Sequence, residues 1–280
     1  MSDTSKLYKQ IQTALTIHRR DFRITIFGPV LYIVTTISIA IGIVIIRNYL
    51  NYIESNGLYP MPDLFSFPFR WIIILTSVYL AFSVVIAIAR ERESGAMELL
   101  FYGPVDNVSY VLGKYSAQLT VYCLLIILYL ICFFILSNIA GVQIPGSFYM
   151  MMLLSLVTGA YLISVGVFVS TMSRNVRSAT LVFLTLIAST LLIQASQAWL
   201  SNIAPESDYY NPVLLLQQLL GWIQVVLTWL SPFSYLNYGV SEMLRGNMSA
   251  FLRVVGLSFV FCITFVFSSI IGLKIRGVRQ

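Results

Sequence analysis

Six stretches of this chain hold no Asp, Glu, Lys, Arg or His: 24–46, 71–89, 115–136, 148–172, 178–198 and 254–273. Each is long enough to cross a bilayer as a helix, which takes about 20 apolar residues. Backbone groups in hydrocarbon must find their hydrogen bonds inside the segment, so each run is read as helix and not as open sheet. The expected fold is therefore all-α: a polytopic membrane protein with six transmembrane helices in a single domain. Composition agrees, with 58% hydrophobic and 10% charged residues. So few ionisable groups cannot cover a water-facing surface.

A seventh apolar run, 213–230, also approaches spanning length but carries Gln217, Gln218, Gly221 and Gln224 and ends before Pro232. Charge decides its reading. With six crossings and the N-terminus inside, 13 of the 17 Lys and Arg residues are cytoplasmic, leaving Arg47, Arg70, Arg245 and Arg253 outside. A seventh crossing would carry the basic tail 274–279 to the wrong side. The run is thus expected to be an outer re-entrant hairpin between helices five and six, within an outer segment 199–250. Both termini are expected in the cytoplasm, and the membrane is expected to be the plasma (inner) membrane. Residues 1–23 lack the apolar core of a cleaved signal; Leu7, Ile11, Leu15 and Phe22, with basic residues among them, predict an interfacial amphipathic helix. The net charge of +6 is read as cytoplasmic loops and membrane lipid contact, not nucleic acid. Cys123, Cys132 and Cys262 lie inside apolar runs and are read as membrane-embedded side chains; His18, the one histidine, is read as solvated. No metal site is expected.

The segment 90–114 (RERESGAMELLFYGPVDNVSYVLGK) is the longest charged stretch between two crossings and holds four of the 11 acidic residues. Met97, Leu99, Leu100 and Phe101 form a short apolar patch, and Gly103-Pro104 breaks any helix after it. Asp106 is a plausible N-cap for a helix that continues into the third crossing. The expected shape is a helix–turn–helix presenting an apolar knob ringed by charge, suited to a groove in a partner.

The run Glu93-Ser94-Gly95-Ala96-Met97-Glu98-Leu99-Leu100, then Pro104-Val105, then Gly113-Lys114, resembles the loop after the second helix of type-2 ABC exporter permeases, which commonly reads Glu-x-Gly-Thr-hydrophobic-Glu-Leu-Leu, Pro-Val, Gly-Lys. Ala96 stands where Thr is usual. Residues 166–178 and 231–246 are similar to the family's fourth-helix exit and to its outer segment before the last helix. The resemblance implies a permease that dimerises, with an identical or a different chain, and is driven by a separate cytoplasmic ABC ATPase that binds ATP and Mg. It implies that Glu93, Gly95, Glu98, Leu99, Leu100 and Pro104 couple to that ATPase, and that the second and fifth helices line the dimer axis.

No phosphate-binding loop accompanies Gly113-Lys114, because the required earlier Gly and following Ser or Thr are Val108 and Tyr115. The chain itself is therefore not expected to be an enzyme or to hold a cofactor. Pathway candidates are the polar faces Thr76, Tyr79, Ser83 and Thr190, Gln194, Gln197, against the plainer reading of interhelical hydrogen bonds. The lack of a charged residue inside the spans argues against an ion- or proton-coupled carrier. A non-transporting scaffold is the remaining alternative.

Overall fold

The computed structural model describes residues 3–57, 64–103, 105–200, 221–222 and 230–276. These residues form helices α1 (Asp3–Ile26), α2 (Pro29–Asn56), α3 (Ser66–Glu93), α4 (Ala96–Tyr102), α5 (Asn107–Ala140), α6 (Gly146–Met172), α7 (Val176–Leu200), α8 (Pro232–Leu244) and α9 (Met248–Arg276). Six of them, α2, α3, α5, α6, α7 and α9, are long and apolar enough to cross a membrane. The protein is an all-helical, multi-pass membrane protein.

Helix boundaries follow local chemistry. The first apolar run is cut at Gly28-Pro29: α1 ends at Ile26, and Pro29 opens α2, where its missing N–H costs nothing. Residues 24–26 thus finish the amphipathic helix and do not belong to the first span, which corrects the expected boundary. Asp106 caps α5 by accepting the Ser109 N–H at 3.3 Å, as the sequence predicts. With 34 residues, α5 is about 51 Å long, against a hydrocarbon core of about 30 Å, so several of its turns project beyond the membrane.

α6 is the centre of the bundle, packing on α3, α5, α7, α8 and α9. Small residues allow this. Ser170 donates to the Val85 carbonyl at 2.8 Å, and at Gly166 an added Cβ would stand 2.7 Å from the Ala81 carbonyl oxygen. Ser155, Gly159, Gly166 and Ser170 therefore make a close-packing stripe. At one end of the bundle the rings of Phe65, Phe69, Phe133 and Phe148 interlock, with Phe69 and Phe148 centroids 4.8 Å apart. The other end carries α1, α4, the α6–α7 turn and most of the basic residues.

α8 starts deep in the bundle. Tyr161, midway along α6, donates to the Leu230 carbonyl at 2.7 Å, and its ring lies against Tyr235 and Phe261. From there α8 climbs toward the phenylalanine end, where Arg70 donates to Asn237 at 3.3 Å. Most of the run 213–230 lies outside the described residues; Leu230, which ends it, sits at mid-depth.

α1 runs alongside the projecting part of α5 in the same direction. Ser109 donates to the Gln10 carbonyl at 3.0 Å, and Gln118 donates to Thr25 at 3.0 Å. The contact is close because position 113 has no side chain: a Cβ there would stand 2.9 Å from the Ala14 carbonyl oxygen and from Ile17. Overpacking of this kind costs about 1–3 kcal/mol. Gly113→Val is expected to loosen α1 and lower the thermal midpoint of the detergent-purified protein. An unchanged midpoint would show that α1 is not held by this contact.

Candidate functional site

The elbow between α3 and α5 is built from consecutive residues whose side chains point to different neighbours. Arg92 donates to the carbonyls of Thr171 and Ser173, at 2.9 and 2.6 Å, at the C-terminus of α6. Glu93 accepts the Val176 N–H at 2.9 Å, at the N-terminus of α7. A cation thus meets the negative end of one helix and a carboxylate the positive end of the next. Together the two residues grip the α6–α7 turn.

Glu91 faces the other way. Its carboxylate accepts from Arg20 at 2.6 Å, Tyr110 at 2.6 Å and Lys114 at 2.9 Å. Lys114 also pairs with Asp21 at 2.7 Å, and Arg20 with Asp21 at 2.9 Å. Two cations and two carboxylates therefore close a neutral cluster joining α1, α3 and α5. The Lys114 and Asp21 side chains are only 2% and 8% exposed. Burial works against the charge on Arg20, but the neighbouring Asp21 and Glu91 carboxylates outweigh it and hold its pKa above the ordinary value.

α4 hangs from this frame. Gly95 turns the chain with φ +73°, a conformation that glycine adopts without strain. Met97 is buried among Ile17, Val84, Ile88, Tyr110 and Leu273, and the Phe101 ring meets Tyr110 edge-on at 5.7 Å. These form the root of the short helix. On the opposite face Leu99 is 75% and Tyr102 81% exposed, with Glu98 exposed beside them. The apolar patch read from sequence thus divides into a buried root and a bare tip.

Of the residues predicted for coupling, Glu93 is engaged with α7, Gly95 makes the turn, and Glu98 and Leu99 form the tip. Leu100 is half-buried on the root side, and Pro104 lies outside the described residues. Sequence reasoning missed Tyr102, whose spacing of three from Leu99 places it on the same face. It also missed Asp21, Glu91 and Lys114, whose partners are distant along the chain. His18 is not solvated as expected. It is half-buried, stacked on Phe22, with Nδ1 3.0 Å from Ser116 Oγ, because α1 packs on α5.

Among the pathway candidates, Thr76 is buried and its hydroxyl is engaged with Tyr129 at 2.8 Å and with the Ile72 carbonyl. Tyr79 and Ser83 are half-buried. Thr190 is buried and donates to the Ile187 carbonyl. The side chains of Gln194 and Gln197 lie outside the described residues. Among the described residues, no group of three His, Cys, Asp or Glu side chains is placed to hold a metal ion.

A bundle with six helices of spanning length, and with a charged elbow and a bare helical tip at one end, is that of a multi-pass membrane protein. A family model described as ABC-2 family transporter protein matches residues 4–273, and the chain belongs to that family. No curated protein matches it.

Removing one partner of a buried ion pair costs about 3–5 kcal/mol, whereas an apolar replacement of both is often near neutral. Lys114→Met is therefore expected to lower the thermal midpoint sharply, and Asp21→Leu added to it to restore much of the loss. Additive losses in the double variant would show that the pair is not coupled.

Proposed function

We propose that this chain is the permease subunit of an ABC exporter, pairing with a second permease chain around a translocation pathway and driven by a separate ATPase. The basic end faces the cytoplasm of a cell whose plasma (inner) membrane it spans, and both termini lie on that side. ATP and Mg belong to the ATPase. The observation that carries this reading is the α4 tip, Glu98, Leu99 and Tyr102, exposed on a root wired to the rest of the bundle.

The wiring gives a path for force. A groove in the ATPase takes the apolar tip, with Glu98 at its rim. Nucleotide-driven movement of that groove displaces the end of α3. Arg92 and Glu93 pass the displacement to the α6–α7 turn, and Glu91 passes it to α1 and α5. Packed helices shift as units between discrete arrangements, so a small push at α4 repositions whole spans. The pathway lies where α3 and α7 of the two chains face one another, with Tyr79 and Ser83 as polar groups along it; Thr76 serves an interhelical bond instead.

Glu98 and Leu99 are exposed, so changing them leaves the bundle intact. Glu98→Lys with Leu99→Asp, reconstituted with the partner ATPase, is expected to insert and melt as wild type but to lose transport at least roughly ten-fold, about 1.4 kcal/mol of coupling. Transport at wild-type rate would overturn the coupling assignment. Transport that persists without ATP on an ion gradient would instead favour a carrier.

A further inference from the structure

A groove of about 1,070 Å³ runs between α1 and residues 112–120 of α5, where its apolar run begins, just above the ordinary range of ligand pockets, roughly 300–1,000 Å³. We propose that it binds an anionic phospholipid of the inner leaflet, the phosphate held by Arg19 and Arg23 and the acyl chains laid along Phe22, Ile26 and Thr120. The inference rests on the placement of α1 at the inner face, and not on transport.

Three observations carry it. Arg19 and Arg23 stand one turn apart on the face of α1 that lines the groove, and among the described residues neither has a carboxylate partner, in contrast to the adjacent and fully paired Arg20. Arg19 lies at the depth of Tyr115 and Ser116, where the apolar run of α5 begins, because the preceding residue, His18, meets Ser116 at 3.0 Å, and Arg23 lies one turn further along the groove. Deeper along the groove the lining is apolar, and Phe27 at its end is 76% exposed. A basic pair at the edge of the hydrocarbon, followed by an open apolar trough, matches an amphiphile with a negatively charged head. A soluble anion would use the arginines but leave the trough empty. The occupant is therefore assigned as a lipid.

The test is native mass spectrometry of the full chain, released from detergent after exposure to vesicles of equal phosphatidylglycerol and phosphatidylcholine. Phosphatidylglycerol is expected to be retained preferentially. Arg19→Gln with Arg23→Gln should cut its retention by roughly ten- to thirty-fold, while Arg253→Gln, at the other end of the bundle, should leave it unchanged. Thr120→Trp, which fills the apolar part, should lower retention of both lipids. Equal retention of the two lipids by wild type, full retention by the double arginine variant, or displacement by millimolar inorganic phosphate would each overturn the proposal. So would disulfide formation between Leu15→Cys in one copy and Leu112→Cys in another with no lipid retained, which would assign the groove to a second copy. Labelling of Arg19→Cys by an impermeant reagent from outside intact cells would overturn the inner-leaflet placement alone, even with lipid retention intact.

Discussion

Lys114 places an ammonium group where almost no water reaches, and the inner architecture is arranged around that charge. A lone buried cation is expensive. Asp21 and Glu91 remove the expense, and Arg20 balances the second carboxylate. Because the three carriers are α1, α3 and α5, the cluster is satisfied only when those helices hold one mutual position. Gly113, the residue before Lys114, leaves the room for α1 to reach it. The Gly-Lys pair is thus one device: the first residue admits the helix and the second binds it.

The same frame explains why so short a helix as α4 can be exposed and still be fixed. Seven residues cannot sustain a helix alone. Met97 and Phe101 anchor it in a small apolar cluster that also holds Ile17 of α1 and Leu273 of α9. The tip is thereby freed of any structural duty. Leu99 and Tyr102 cost apolar surface left in water, which ordinary packing would have removed. That arrangement fits the docking role proposed for the tip.

The opposite half of the molecule is organised by a different need. Leu230 ends its run level with the middle of α6, where its carbonyl accepts from the Tyr161 hydroxyl. α8 then returns toward the phenylalanine end through a tight fit, with Gly239 against Leu154 and Val254. A carbonyl at the end of a segment within a bundle is tolerated where a protein side chain takes its hydrogen bond, and Tyr161 takes that of Leu230 here. Arg70 and Asn237 tie the upper part of α8 to the start of α3.

Much of this was written in the sequence itself. Charge-free runs of about 20 residues leave the backbone no alternative to helix in a membrane, so the six spans, their order and the charged elbow were legible by composition alone. The Asp106 cap acts locally and was legible too. The cut at Pro29 was also local and was missed because apolarity masked it. What only the tertiary structure decided are the pairings between distant residues: Glu91 with Arg20 and Lys114, Arg92 with the end of α6, Glu93 with the start of α7. Which face of α4 is bare was settled the same way. A charge in a sequence carries no address. Its partner is set by where helices packed by apolar surface happen to bring opposite charges within hydrogen-bond reach.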